Sequence, residues 1–335
     1  MTSPAARRVG PFSVRPIGFG CMSLSHAYGV PPPTDVAEAV LRRAVELGVD
    51  FFDTAALYGF GANESLVGRV LNPYRSRAGS KIVVASKCGM TGVDGKRVID
   101  GRPQTIKRTC EESLKRLRID VIDLYYLHRW DKKIPVEESV GALADLVRAG
   151  KVRAIGMSEV SAVTLRKAHA VHPIAALQTE YSLWTRNPEI AALETCRALG
   201  IAVVAFSPLA RGFLAGRLQD ISTLDARDIR RNMPRFESGN YSANLRLLDG
   251  YAAIAREIGC TMSQLALAWL LAQGERVLAI PGTTRIEHLE ENLGALDVRL
   301  SAEVKARLGA LINQRTVAGP RYNAATQAEI DTEEF

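Results

Sequence analysis

Three short apolar runs in this chain each end on a polar residue of a different chemical kind. They are Val49-Asp50-Phe51-Phe52-Asp53, Ile82-Val83-Val84-Ala85-Ser86-Lys87, and Val121 to Leu127 followed by His128. Tyr58 follows the first run after a single loop. A carboxylate, an ammonium, an imidazole and a phenol form a proton-transfer set if they are brought together. Buried parallel strands would do so, because barrel and open-sheet enzymes assemble their sites where neighbouring strands end.

The rest of the chain supplies those strands. Candidate strands are Ile17 to Gly20, Val49 to Asp53, Ile82 to Lys87, Val121 to Leu127, Val152 to Met157, Ala176 to Thr179, Ala202 to Phe206 and Val277 to Ile280. Between them, helical apolar spacing predicts helices over Asp35 to Leu47, Glu64 to Leu71, Gln104 to Leu117, Val136 to Ala149, Ala162 to Ala170, Pro188 to Leu199, Leu245 to Gly259 and Met262 to Ala272. Ile286 to Leu296 adds another after the last strand. Gly48, Gly150, Gly200 and Gly259 fall where helical patterns end, as a C′ glycine would. Strands alternating with helices, in a chain of 335 residues, predict a (β/α)8 TIM barrel forming one domain over residues 1–335. Arg7 to Val14, with a Gly-Pro turn, is expected to form a hairpin closing the barrel bottom. Leu209 to Asn240, without periodicity, is expected to be an inserted loop over the active face after the seventh strand. The tail over residues 313–335 is expected to be only partly ordered.

Several function classes are argued against. No run approaches the 18 or so apolar residues of a membrane span, and the amino terminus lacks the apolar core of a signal peptide, so a cytoplasmic protein is expected. The net charge of +7 comes from scattered Lys and Arg, with only 6% aromatic residues, which argues against a nucleic-acid partner and suits an anionic cofactor. Cys21, Cys88, Cys110, Cys196 and Cys260 are odd in number and widely spaced, so reduced thiols are expected. His169 and His172 share a predicted helix, but no further ligand accompanies them and no metal site is expected. A dinucleotide-binding open sheet would carry Gly-x-Gly-x-x-Gly after its first strand; here Gly18-Phe19-Gly20 is followed by Ser23. A monomer is the default expectation.

The ordered segments Phe52-Asp53-Thr54-Ala55 with Tyr58-Gly59, Ala85-Ser86-Lys87, Leu127-His128-Arg129, Gly156-Met157-Ser158, Gln178 to Leu183, Phe206-Ser207-Pro208-Leu209 and Ile280-Pro281-Gly282-Thr283 resemble the signature of the aldo-keto reductases, in the family's order. Leu209 to Leu214 and Gly282 to Asn292 are similar to its bacterial and plant branch. The resemblance implies an NADPH-dependent reductase of aldehydes or ketones, with Tyr58 as the acid, Lys87 held by Asp53 and lowering the pKa of Tyr58, and His128 donating to the carbonyl oxygen. Substrate contacts are expected at His26, Tyr58, His128 and Trp130, with Trp184 as a further wall residue.

For the cofactor, NADPH/NADP+, the resemblance implies contacts at Gly20, Met22 and Asp53, and Ser158 and Gln178 on the nicotinamide carboxamide, with Phe206 under the ring. Ser207, Leu209 and Arg211 match the pyrophosphate loop. Gly282, Thr283 and Arg285 match the 2′-phosphate segment, and Glu291 and Asn292 the adenine contacts. Three positions depart from the pattern. Glu159 stands where many relatives have Asn, placing a carboxylate beside the nicotinamide; Gly282 replaces a frequent Lys and His288 a frequent Arg. A preference for NADPH over NADH is still expected. A second reading is an NADPH-holding redox sensor resembling the potassium-channel β-subunits; the intact set of Asp53, Tyr58, Lys87 and His128 argues against it.

Overall fold

The computed structural model describes residues 5–93 and 95–335. Eight parallel strands follow one another in the sheet. We label them β1 (Phe19–Gly20), β2 (Phe51–Asp53), β3 (Val83–Cys88), β4 (Ile122–Leu127), β5 (Val152–Ser158), β6 (Ile174–Glu180), β7 (Ala202–Phe206) and β8 (Val277–Ala279). β8 meets the segment leading into β1: Gly18 N donates to Ala279 O (2.9 Å), Ala279 N to Pro16 O (3.0 Å), and Ile17 bridges Ala279 in parallel. These bonds close the sheet into the expected (β/α)8 barrel, leaving it without an edge.

Burial on both faces explains the continuous apolar runs. Phe51, Val83, Ala85, Leu124, Tyr126 and Val204 pack inside the barrel, while Phe52, Val84, Tyr125, Leu127 and Val203 pack outward beneath the helices. The antiparallel hairpin Arg7–Val9 with Phe12–Val14 inserts Val9 and Val14 into the interior cluster and so plugs one end, as expected. Gly48, Gly150, Gly200 and Gly259 all have positive φ (70 to 83°) where helices stop.

Three elements differ from expectation. Met90–Val93 and Lys96–Ile99 form an antiparallel hairpin after β3; its signal was the Asp-Gly dipeptide at 94–95. The segment after β7 is a chain of short turns, Ala210–Ala215, Ile221–Thr223, Ile229–Asn232 and Pro234–Phe236, followed by a helix at Ser238–Leu245. Caps and side-chain bonds hold these turns, so apolar periodicity is absent. The tail is packed rather than partly ordered. Asp331 N donates to Glu159 O (3.1 Å), and the Asp331 carboxylate accepts from Ser161 N and Oγ at the start of helix Ala162–Val171.

Candidate active site

Alternation along the strands decides which side chains reach the barrel axis. Counting on by two from the interior residues Phe51, Ala85 and Tyr126 lands on Asp53, Lys87 and His128. The same parity carries Ala154 to Ser158, Ala176 to Gln178 and Val204 to Phe206. All six therefore converge at one barrel mouth. Tyr58 arrives on the buried turn after β2, which is pinned by Asn63: its side chain accepts from Thr54 Oγ1 (2.6 Å) and donates to Cys21 O and Ser25 Oγ (both 2.8 Å).

Lys87 is fully buried, and each hydrogen of its ammonium has an acceptor. It forms an ion pair with Asp53 Oδ1, and donates to Thr54 O (2.8 Å) and to the Tyr58 hydroxyl (3.2 Å). The Tyr58 oxygen is thus an acceptor toward Lys87, and its own proton is free to point elsewhere. Gln178 Nε2 donates to the second Asp53 oxygen (2.7 Å). The Tyr58 ring meets the His128 ring edge-on at 5.8 Å and lies stacked near His26 at 6.0 Å. His128 Nδ1 is buried without a partner among the described residues, leaving Nε2 as the nitrogen open to the cleft.

Burial pushes the Tyr58 phenol up, and Lys87 pulls it back only in part, so it stays above the usual phenol range. Lys87 does lower the phenol pKa, but desolvation of the fully buried phenolate outweighs one ammonium already paired with Asp53. Burial would discharge Lys87, but Asp53 and then Tyr58 outweigh it and hold the ammonium charged. Burial first, then the Arg129 charge, keeps His128 well below the usual histidine range and therefore neutral.

A cleft of about 1250 Å³ runs from these groups across the β1–β8 seam. Gly20, Met22, His26, Asp53, Tyr58, His128, Ser158, Gln178, Phe206, Ser207, Leu209, Arg211, Gly282, Thr283, Glu291 and Asn292 all line it. At the seam, a Cβ on Gly20 would lie 2.7 Å from Ile280 O, and one on Gly282 2.7 Å from Gly20 O, so the two backbones pass too close for a side chain at either position. The loop after β7 crosses toward the loop after β1: Ile229 N donates to Ala27 O (2.9 Å), and Arg230 lies 5.2 Å from the Tyr28 ring centre. Ala27, Glu159, Ser207, Ala210 and Arg211 hold positive φ (48 to 81°) around this cleft. Non-glycine strain of this kind concentrates at ligand sites.

Two expected wall residues lie elsewhere, and a third expected contact sits only at the rim. Trp130 donates its indole N–H to Ile134 O (2.8 Å) and packs on the main core. Trp184 stacks on Phe213 at 4.3 Å under the loop after β7, and is buried. Both follow strands, but Trp130 bonds within its own loop and Trp184 packs among Phe213 and Phe236, so neither lines the cleft. Arg285 is exposed at the rim, where its backbone N–H donates to Thr283 Oγ1 (3.1 Å).

The Arg211 side chain does not offer a free charge to the cleft: it pairs with Glu180 (2.8 Å) and donates to the Tyr322 hydroxyl (3.0 Å). Glu159 is likewise not an open carboxylate beside the site. It accepts from Thr179 Oγ1 (2.9 Å), Glu180 N (2.8 Å) and Arg321 (2.5 Å). Arg321 also binds Glu180 (2.9 Å) and lies 6.0 Å from the Phe206 ring centre. The tail thus delivers a buried cation beneath the barrel mouth, and Tyr322, Asn323 and Thr326 add to its wall. Nothing local in the sequence signals these residues beyond an unmatched Glu159. Arg217, paired with Glu291 (2.7 Å), was also missed. His169 is engaged by Ile174 N (3.1 Å), and no group of three or more His, Cys, Asp or Glu among the described residues is placed to hold a metal. No helix among the described residues is long and apolar enough to cross a membrane.

Fold and site together define a barrel enzyme framework with its polar groups at one mouth. Residues 16–313 match the model of the aldo/keto reductase family. The chain is 43% identical over 313 residues to a probable aldo-keto reductase of Glycine max, covering 93% of this chain and 89% of that protein. It is 42% identical over 329 residues to a Schizosaccharomyces pombe aldo-keto reductase named for NADP(+), covering 97% and 96%. Among solved structures it resembles a glycerol dehydrogenase of Gluconobacter oxydans, with 30% identity, a TM-score of 0.85, and coverage of 96% of this chain and 98% of that one. An aldo/keto reductase of Klebsiella pneumoniae in complex with NADP and acetate follows at 28% identity, TM-score 0.70 and 99% coverage of both. This chain belongs to the aldo/keto reductase family, a family of oxidoreductases.

Proposed function

We propose that this protein reduces aldehydes or ketones to alcohols with NADPH, Tyr58 acting as the proton donor. The observation that carries the reading is the saturated Lys87 ammonium: its bond to the Tyr58 oxygen leaves the phenol proton free for a ligand in the cleft. A nicotinamide dinucleotide supplies the hydride for such a reduction. The residues present fit one, since Ser158, Gln178 and Phe206 line the cleft beside Tyr58 and His128, and Thr283 and His288 line it where helix Ile286–Gly294 begins. The relative named for NADP(+) and the neighbour in complex with NADP support the choice of cofactor.

In this reading Ser158 and Gln178 hold the carboxamide and Phe206 backs the ring. Asp53 keeps Lys87 charged, and Lys87 stabilises the phenolate that forms as the proton leaves Tyr58. Neutral His128 donates through Nε2 to the carbonyl oxygen. The start of helix Ile286–Gly294, whose first backbone N–H groups have no intrahelical acceptor, suits a phosphate. NADPH oxidation with a panel of activated aldehydes tests the reading. Tight NADPH binding with no turnover would instead favour a sensing module.

The pH dependence carries two expected results. Because Tyr58 titrates above the usual phenol range, its acid form persists to higher pH; kcat/KM for reduction is expected to fall only above about pH 10. His128, already neutral, is expected to add no inflection between pH 6 and 8. A pH profile on a neutral aldehyde checks both, and an inflection near 6.5 that disappears in His128→Gln would refute the second. At the rim, Arg285→Ala is expected to weaken NADPH roughly tenfold, about 1.4 kcal/mol, and NADH far less. Equal weakening in fluorescence titrations with the two cofactors would remove Arg285 from the 2′-phosphate site.

A further inference from the structure

Most arginines that line the cleft already have an acid partner. Arg97 pairs with Glu329, Arg211 with Glu180, Arg217 with Glu291 and Arg230 with Asp228. Arg231 is exposed on the loop after β7, bound to Leu224 O. Arg129 differs from all of these. It follows His128 at the end of β4, is half-buried, and has no carboxylate within ion-pair distance among the described residues.

Its orientation is nevertheless fixed. Nη1 donates to His128 O (2.6 Å) and approaches Ser158 Oγ (3.4 Å). Nε and Nη2 have no partner among the described residues, and neither is sealed from the cleft. That Nε/Nη2 edge is the one with which a guanidinium grips a carboxylate by two parallel bonds. Its charge is felt at the reacting end too, since it acts on both Tyr58 and His128. Leu57 and Met90 line the same part of the cleft and suit a short carbon skeleton.

We propose that the preferred substrate is an aldehyde or ketone bearing a carboxylate, with the open edge of Arg129 gripping that carboxylate while Tyr58 and His128 meet the carbonyl oxygen. The anchor on Arg129 fixes the position of the carbonyl. This inference rests on the reductase reading for the reacting end only; the anion site stands on Arg129 itself.

The test compares matched pairs: succinate semialdehyde with butanal, and meta- and para-carboxybenzaldehyde with benzaldehyde. In the wild type, kcat/KM is expected to favour the carboxylate member by roughly tenfold to a hundredfold, the range of a charged hydrogen-bonded contact, chiefly through KM. Taking the ratio within each variant cancels any effect of the substitution on Tyr58 or His128. Arg129→Met is expected to abolish the ratio and Arg129→Lys to retain part of it. No preference in the wild type, or one that survives Arg129→Met, overturns the proposal. Calorimetric titration of benzoate into the full chain with NADP+ separates the two readings. Benzoate binding that needs Arg129, without aldehyde turnover, keeps the anion site and removes the reductase reading. Benzoate binding unchanged in Arg129→Met removes the anion site.

Discussion

Replacing Tyr58 by Phe is expected to lower kcat for aldehyde reduction by about 10²–10⁴-fold, the range for loss of a positioned proton donor, with NADPH affinity within a few fold of wild type. The substitution deletes one oxygen and keeps the ring that packs edge-on against His128 and beside His26. Lys87 loses one of its three acceptors but keeps Asp53 and Thr54 O, so the ion pair at the base of the site survives. Stopped-flow single turnover, with cofactor binding followed by protein fluorescence, separates chemistry from binding. A loss confined to cofactor affinity would show that Tyr58 shapes the pocket and does not supply the proton.

The second large effect is structural. Arg321→Met leaves Glu159 buried with only neutral donors, Thr179 Oγ1 and Glu180 N, and removes one of the two arginines on Glu180. Breaking a buried ion pair from one side costs about 3–5 kcal/mol, so a marked loss of stability to urea is expected. Adding Glu159→Gln to Arg321→Met removes the uncompensated charge and is expected to restore a large part of that loss. A single-variant loss under about 1 kcal/mol would mean that the network is solvated and that the tail is held by other contacts.

The pH dependence of stability offers an independent readout. Although burial opposes its ionisation, Arg211 and Arg321 hold the Glu180 carboxyl well below the usual carboxylate range. The unfolded chain takes up that proton near pH 4.3, so the stabilisation is fully present above about pH 4 to 5 and fades as pH falls toward the folded value. In Arg321→Met this acid limb is expected to be shallower. The same substitution is expected to raise the KM for NADPH, because Arg321 lies behind Phe206 and its partner Glu159 follows Ser158 directly.

Much of the site was legible because strands impose a period of two. Once Phe51, Ala85 and Tyr126 are interior, Asp53, Lys87 and His128 follow them onto the axis, and Ser158, Gln178 and Phe206 obey the same rule. Positions in turns had no such rule. Trp130 and Trp184 follow strands as closely as His128 does, yet one donates to Ile134 O and the other stacks on Phe213. The hairpin after β3 is held by its own backbone ladder and the turns after β7 by local caps, neither of which leaves an apolar period.

The sequence by itself determined the barrel, the meeting of Asp53, Lys87 and His128 at its mouth, and the family, because apolar alternation and short strand-end segments are local properties. Only the tertiary structure decided what those groups experience. It paired Glu159 with Arg321 from the far end of the chain, left the edge of Arg129 open, and kept Tyr58 above its ordinary pKa despite Lys87. Charge partners and desolvation depend on which distant segments pack together, and that information resides in no single stretch of sequence.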